Sequence, residues 1–380
     1  MWAALFVSAG LVVQSNLFAA SSGAASNIEG YSNLVYASYK DAYEGGLKLQ
    51  TAVQAFISNP SDATLAQAKE AWFTARVPYL QTEAYRFYGG PIDGIDKDGK
   101  EGPEGQLNAW PLNEAHMDYV AGNPSSGIIN DASIAIDESS LIAQNAKDDE
   151  KNVSTGYHAI EFLLWGQDFN ANGPGNRSFN DYLKGDPIKD RRRAYLGVVT
   201  DLLVKDLKFL ADAWKPGQEN YAAEIKKSDA KEALGKILTG LATLSGFELA
   251  SERLGTPLDS GDQEDEHSCF SDNTHNDYIY DVQGINNVYF GEYGSAKWEG
   301  LNKWVASFDP ELNKKIEAQV KKSLNDAKAL DHPIDQVLAT PRGSPQRAKM
   351  EELLKSLEVL ADLFKQIGKE QGLNVEIVRS

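Results

Sequence analysis

The sequence predicts an all-α protein, built as two diverged helical-bundle-like halves around one polar interface site. Three observations predict the class. Apolar residues recur at steps of three and four, sustained period-two runs are scarce, and long polar, glycine-rich segments separate the periodic stretches. In chain order the stripes are Leu65, Ala68, Trp72, Ala75 and Tyr79; then Leu196, Val199, Leu203, Leu207, Leu210 and Trp214; then Leu234, Ile237, Leu241 and Leu244; and last Leu353, Leu357, Leu360, Phe364 and Ile367. Each lays one apolar face along a helix, as bundle packing requires. Pro78 lies inside the first and predicts a kink or an early end.

Residues 1–26 read as a secretory leader. Trp2 to Val13 is almost wholly apolar, and Leu17-Phe18-Ala19-Ala20 runs into small residues from Ser21 to Ser26, which places cleavage near Ala20. The stretch lacks a basic start, and no lipobox cysteine follows it. It is too short for a comfortable membrane span, and nothing later is long enough, so an exported, soluble mature chain is expected. The two halves are then expected over 27–190 and 191–380.

The 380 residues carry a formal charge of −18, from 55 acidic and 37 basic side chains. Such a surface repels a phosphate backbone, so nucleic acid is not an expected partner. Solubility or hard cations suit the charge better. The single cysteine, Cys269, allows no internal disulfide and no multi-thiolate metal site, and reads as a small buried side chain.

The interruptions run from Gly89 to about Asn108, from Asn170 to about Asp190, and from Gly255 to about Asp277; loops of this length are often functional. Two pairs of segments suggest an internal duplication. Gly89-Gly90-Pro91-Ile92-Asp93 matches Gly255-Thr256-Pro257-Leu258-Asp259, and Gly156 to Phe162 resembles Gly284 to Phe290. Where the first half has His158 and Glu161, the second has Asn286 and Tyr289, so one site per chain is expected.

His158 and Glu161 stand three apart in a short apolar helix, so both leave the same face. They could share a metal ion or a proton, or form a hydrogen-bonded core pair. No histidine is followed by glutamate, and Phe162 breaks the inverted form, so the usual zinc-peptidase motifs are missing. The stretch Asp262 to Asp277 sets His267 and His275 among six carboxylates, including Asp272. It reads as a possible second cation site or as a solvated acidic loop. Glu83 and Arg86 form an i,i+3 pair of the usual structural kind, echoed by Glu248, Glu252 and Arg253. His116 and His332 read as ordinary. No phosphate loop, dinucleotide fingerprint, nucleophile elbow or c-type haem motif is present.

Three signatures, in order, resemble the imelysin-like family. Gly156-Tyr157-His158-Ala159-Ile160-Glu161 matches its G-x-H-x-x-E motif, Trp72 to Asp93 resembles its first-half signature ending in a G-P-[IL]-D turn, and Glu266 to His275 looks like the iron-regulated protein A subgroup. The resemblance spans about Tyr31 to Leu373. It implies two helical halves with the motif near their interface, a periplasmic or outer-membrane-surface location in a bacterium, and a role in iron acquisition. It also implies a metal site at His158 and Glu161, with Glu83 and Asp93 as carboxylate companions. Asp93 would complete the shell or orient His158, and the Asp262–Asp277 loop would cover the site or hold a second ion through His267, Asp272 and His275. The expected cofactor is iron, with zinc as the alternative, and the expected partners are the metal and an envelope transporter or outer-membrane receptor. The alternative functions are a zinc metallopeptidase with Glu161 as ligand or general base, and a metal-free module binding a peptide or glycan between the halves.

Overall fold

The computed structural model describes residues 8–170 and 172–379, with side chains from residue 23 onward. The first seven residues of the leader-like segment lie outside the described residues, as do its side chains through Ser22; the expected cleavage point at Ala20 falls within described helical backbone. What is described is all-α; strands among the described residues are limited to one antiparallel pair, Glu292–Tyr293 with Ala296–Lys297.

Among the described residues, the longer helices that carry the architecture are α1 (Ser8–Ser58), α2 (Asp62–Leu80), α3 (Gly156–Trp165), α4 (Pro187–Trp214), α5 (Ala230–Thr243), α6 (Thr274–Phe290), α7 (Leu301–Phe308), α8 (Pro310–Lys328) and α9 (Pro345–Gln371). Their ends follow local chemistry. Ser61 caps α2, its hydroxyl accepting from Thr64 N while the Thr64 hydroxyl accepts from Ser61 N. Asp186 accepts from the N–H groups of Ile188 and Lys189 ahead of α4, whose first residue is proline. Pro78 sits inside α2, which ends two residues later and tightens into a 3-10 turn, Gln81–Tyr85. Helix α5 passes without a break into a π-helical stretch, Leu244–Gly255.

All four apolar stripes are buried. Helix α1 packs along α2 and α4, and α3 packs on both α2 and α4. In the second group α9 packs on the π stretch, α8 and α5, while α6 packs on α8. The groups meet where α6 crosses α2 and the Gln81–Tyr85 turn, and where α1 touches α5 and α7. The expected boundary at 190 falls in the first turn of α4, a helix that packs with α1 and α3.

The two G-x-P-x-D segments differ in conformation. Gly89 has φ +70° and opens a turn that Asp93 closes, whereas Gly255 is helical and runs straight into the short helix Thr256–Ser260. Gly284 has another role: a Cβ there would stand 2.4 Å from the Gln81 carbonyl oxygen, so α6 can cross the end of α2 only without a side chain at that point. Gly284→Ala is expected to cost about 1–3 kcal/mol by overpacking, read as a lower denaturant midpoint with an unchanged slope.

Candidate functional site

Helix α3 is buried along its whole length. It starts at Gly156 with φ +86°, where a Cβ would lie 2.5 Å from the Leu107 carbonyl oxygen, so only glycine allows the chain to enter here. One turn on, His158 Nδ1 meets Glu161 Oε2 at 2.9 Å. The other Glu161 oxygen accepts from the Ser271 hydroxyl at 2.6 Å and its backbone N–H at 3.0 Å. Both oxygens of Glu161 are thus engaged.

His267, in the loop before α6, supplies the facing group. Its Nε2 stands 3.3 Å from His158 Nε2, and its Nδ1 lies 2.8 Å from Asp277 Oδ2. Asp277 also accepts from the Ser268 hydroxyl at 2.5 Å, from Arg76 at 3.2 Å and from Asn273 at 3.2 Å. The result is a continuous line, Glu161–His158–His267–Asp277, drawn from both halves of the chain. Trp110 lies against it, with its ring 5.0 Å from that of His158 and 6.5 Å from that of His267.

Burial sets the electrostatics. It holds both imidazoles well below the usual histidine range, so both are neutral. It pushes Glu161 up to about 8, against the opposing pull of its Ser271 hydrogen bonds. Asp277 accepts from Ser268, Arg76 and Asn273, so His267 Nδ1 is the N–H donor and its Nε2 carries a bare lone pair. A protonated Glu161 donates to His158 Nδ1, which leaves His158 Nε2–H to donate to His267. One proton, held at the Glu161 end, satisfies the whole line.

Glu83 is not bonded to either imidazole; it is bonded to Arg86 at 2.6 Å and Arg253 at 2.7 Å, with Asn108 at 3.5 Å. Burial alone would raise it, but the two guanidinium groups outweigh that and bring it down to about 2. Arg253 extends from the π stretch to Glu248 and Asp281 as well. Asp93 closes the loop at Phe87 N and Gly90 N and makes no contact with the histidines. His275 stacks on His332 at 4.4 Å, away from His267, while Asp272 has left-handed backbone with φ +57°. The structure therefore brings His158, Glu161 and His267 into direct contact, whereas Glu83, Asp93, Asp272 and His275 are not bonded to them among the described residues, although Glu83 is near enough to His267 to act on it electrostatically. The loop is solvated only at its acidic start, where Asp262 and Glu264 are exposed, while Glu266 to Ser271 is buried. His116 bonds the Gln144 carbonyl, and Cys269 is a buried free thiol. Sequence reasoning missed Arg76, Asn108, Trp110 and the role of Asp277. Arg76 left one signal, as a cation beside the apolar stripe of α2.

Among the described residues, no set of three His, Cys, Asp or Glu side chains is already arranged around one ion, and no helix is long and apolar enough to cross a membrane. Compared with known proteins, residues 35–363 match the family model described as imelysin. Iron-regulated protein A of Synechococcus elongatus is 25% identical over 327 residues, 83% of this chain and 78% of that protein. Two crystal structures share the fold. One, described as an iron-regulated protein A precursor from Parabacteroides distasonis, has TM-score 0.69 and 21% identity, and covers 91% of this chain and 95% of its own. The other, an imelysin-like protein from Psychrobacter arcticum, has TM-score 0.64 and 14% identity, over 94% and 98%.

The raised acid Glu161 gives a signed pH dependence. Between its ordinary value and about 8, the folded state holds a proton that the unfolded chain releases, so stability falls as pH rises through that window. The slope from this group is at most about 1.4 kcal/mol per pH unit. Metal-free Glu161→Gln removes it, so the stability difference between wild type and variant is expected to change across pH 4.5–8, measured by chemical unfolding at several pH values.

Proposed function

This chain belongs to the imelysin family, and we propose that it is an exported, envelope-located member that holds iron between His158 and His267 in support of iron uptake. One observation carries the reading: two imidazole Nε2 atoms face each other at 3.3 Å, each ring fixed through Nδ1 to a buried carboxylate. Metal-binding histidines are oriented in this way by a carboxylate behind the ring. Nitrogen–metal bonds run about 2.0–2.1 Å for zinc-sized ions, so nitrogens this close are within the span of one ion. The residues present therefore fit a metal at two nitrogen donors. They fit it with Glu161 and Asp277 behind the rings, since Glu161 has both oxygens engaged and Glu83 is neutralised by Arg86 and Arg253. Iron and zinc both accept imidazole, and the names of the relatives favour iron.

The bound ion would supply the positive centre that replaces the proton of the metal-free line. For that exchange His158 must turn its N–H to Nδ1 and donate to Glu161, which gives up its own proton. One proton leaves per metal bound. Below about 8 that proton has to be displaced, so affinity is expected to rise about tenfold per pH unit and to level off above it. His158 and His267 are buried, with Trp110 against both rings, so an ion can reach them only if neighbouring groups move.

The test is elemental analysis of untagged protein, as purified and after incubation with iron or zinc, beside His267→Ala. Near-stoichiometric iron in the wild type, lost in the variant and strengthened with pH up to about 8, is the expected result. Equal metal in both proteins, or none in either, sinks the reading, and zinc in place of iron redirects it to zinc chemistry.

A further inference from the structure

Every buried carboxylate described so far has an arginine partner except Glu161. Asp118 is bonded by Arg177 and Arg192, Glu83 by Arg86 and Arg253, Asp281 by Arg253, and Asp277 by Arg76. Beside the loop that carries His267 is a group of another kind. Asp168 follows α3, Glu266 and Asp272 lie in the loop, and Asp335 lies in the short helix Ile334–Leu338, which packs on the loop segment Gln263–Asp265. Gln263 bonds the Asp168 carbonyl at 2.7 Å and draws these segments together.

Glu266 and Asp168 are each only 1% exposed. Glu266 Oε1, Asp168 Oδ2 and Asp335 Oδ1 are buried with no hydrogen-bond partner. The four carboxylates act on one another: Glu266 is repelled by Asp335, Asp272 and Asp168, and Asp272 by Asp335 and Asp168. Among the described residues, no lysine or arginine is among the groups acting on any of the four. Orphaned oxygens of one sign, buried together, are costly unless each keeps a proton or a cation joins them. The donors are all carboxylate oxygens, which select a hard ion over a thiophilic one.

We propose that Asp168, Glu266, Asp272 and Asp335 form a site for one hard divalent cation of the calcium class, separate from the His158–His267 pair. Among the described residues, no three of them already stand around one point, so the ion draws Asp272 and Asp335 inward and keeps water in its shell. Once bound, it ties the end of α3, the His267 loop and the Ile334–Leu338 helix together, and so fastens the covering loop over the imidazole pair.

Chelator-stripped protein is titrated with calcium chloride to about 1 mM by calorimetry, and thermal unfolding is followed with and without the ion. The expected result is one calcium per chain and a raised Tm in the wild type and in His158→Ala. Asp168→Asn and Asp335→Asn should lose both effects, while without calcium they are at least as stable as the wild type, since each removes a mutually repelling charge. The proposal is overturned by no heat and no Tm shift in the wild type, by calcium binding that survives both Asn variants, or by loss of binding in His158→Ala. It is also overturned if the Asn variants are less stable than wild type without calcium, because the carboxylates would then be structural.

Discussion

Arg76 and Asp277 meet at 3.2 Å with neither side chain exposed to solvent. A buried pair of this kind adds little net stability, because both charges give up their water. It does fix geometry, since either charge alone would be far costlier. Here the pair connects α2 to the start of α6, which is the contact between the two helical groups. Asp277 then positions His267, and Arg76 reaches Asn108 at 2.6 Å, which in turn touches Glu83. The facing of two imidazoles from distant parts of the chain depends on this one charge pair.

The polar interior divides into two kinds of chemistry. Around Glu83, Arg86, Arg253, Glu248 and Asp281, positive and negative groups are interleaved, with Asp281 Oδ1 and Arg86 Nε left without hydrogen-bond partners. That network holds the π stretch against the Gln81–Tyr85 turn. Around Glu161, His158 and His267 the groups are neutral, held so by burial, with an exchangeable proton in place of a fixed cation. The same contrast separates the Asp168–Asp335 group from the other buried acids.

Much of the fold was legible in the sequence. The stripes from Leu65, Leu196, Leu234 and Leu353 are all buried, because a period near 3.6 leaves a helix one consistent face to hide. The G-x-H-x-x-E spacing was legible for the same reason, and its glycine acquires a cause in the Leu107 carbonyl. Less was legible where meaning depends on distance in space. Glu83 and Asp93 have the right chemistry for ligands, yet one is held by two guanidinium groups and the other closes its own turn. His267 and His275 are eight residues apart in one loop, but only the first faces His158.

By itself the sequence determined the helical class, the apolar faces, and the i,i+3 partnership of His158 with Glu161, since local spacing and burial of apolar surface suffice for these. Tertiary structure alone decided which carboxylates are neutralised, which oxygens are left without partners, and that His267 lies opposite His158. Those outcomes depend on what burial places within a few ångströms of each charge, and no periodicity along the chain records that.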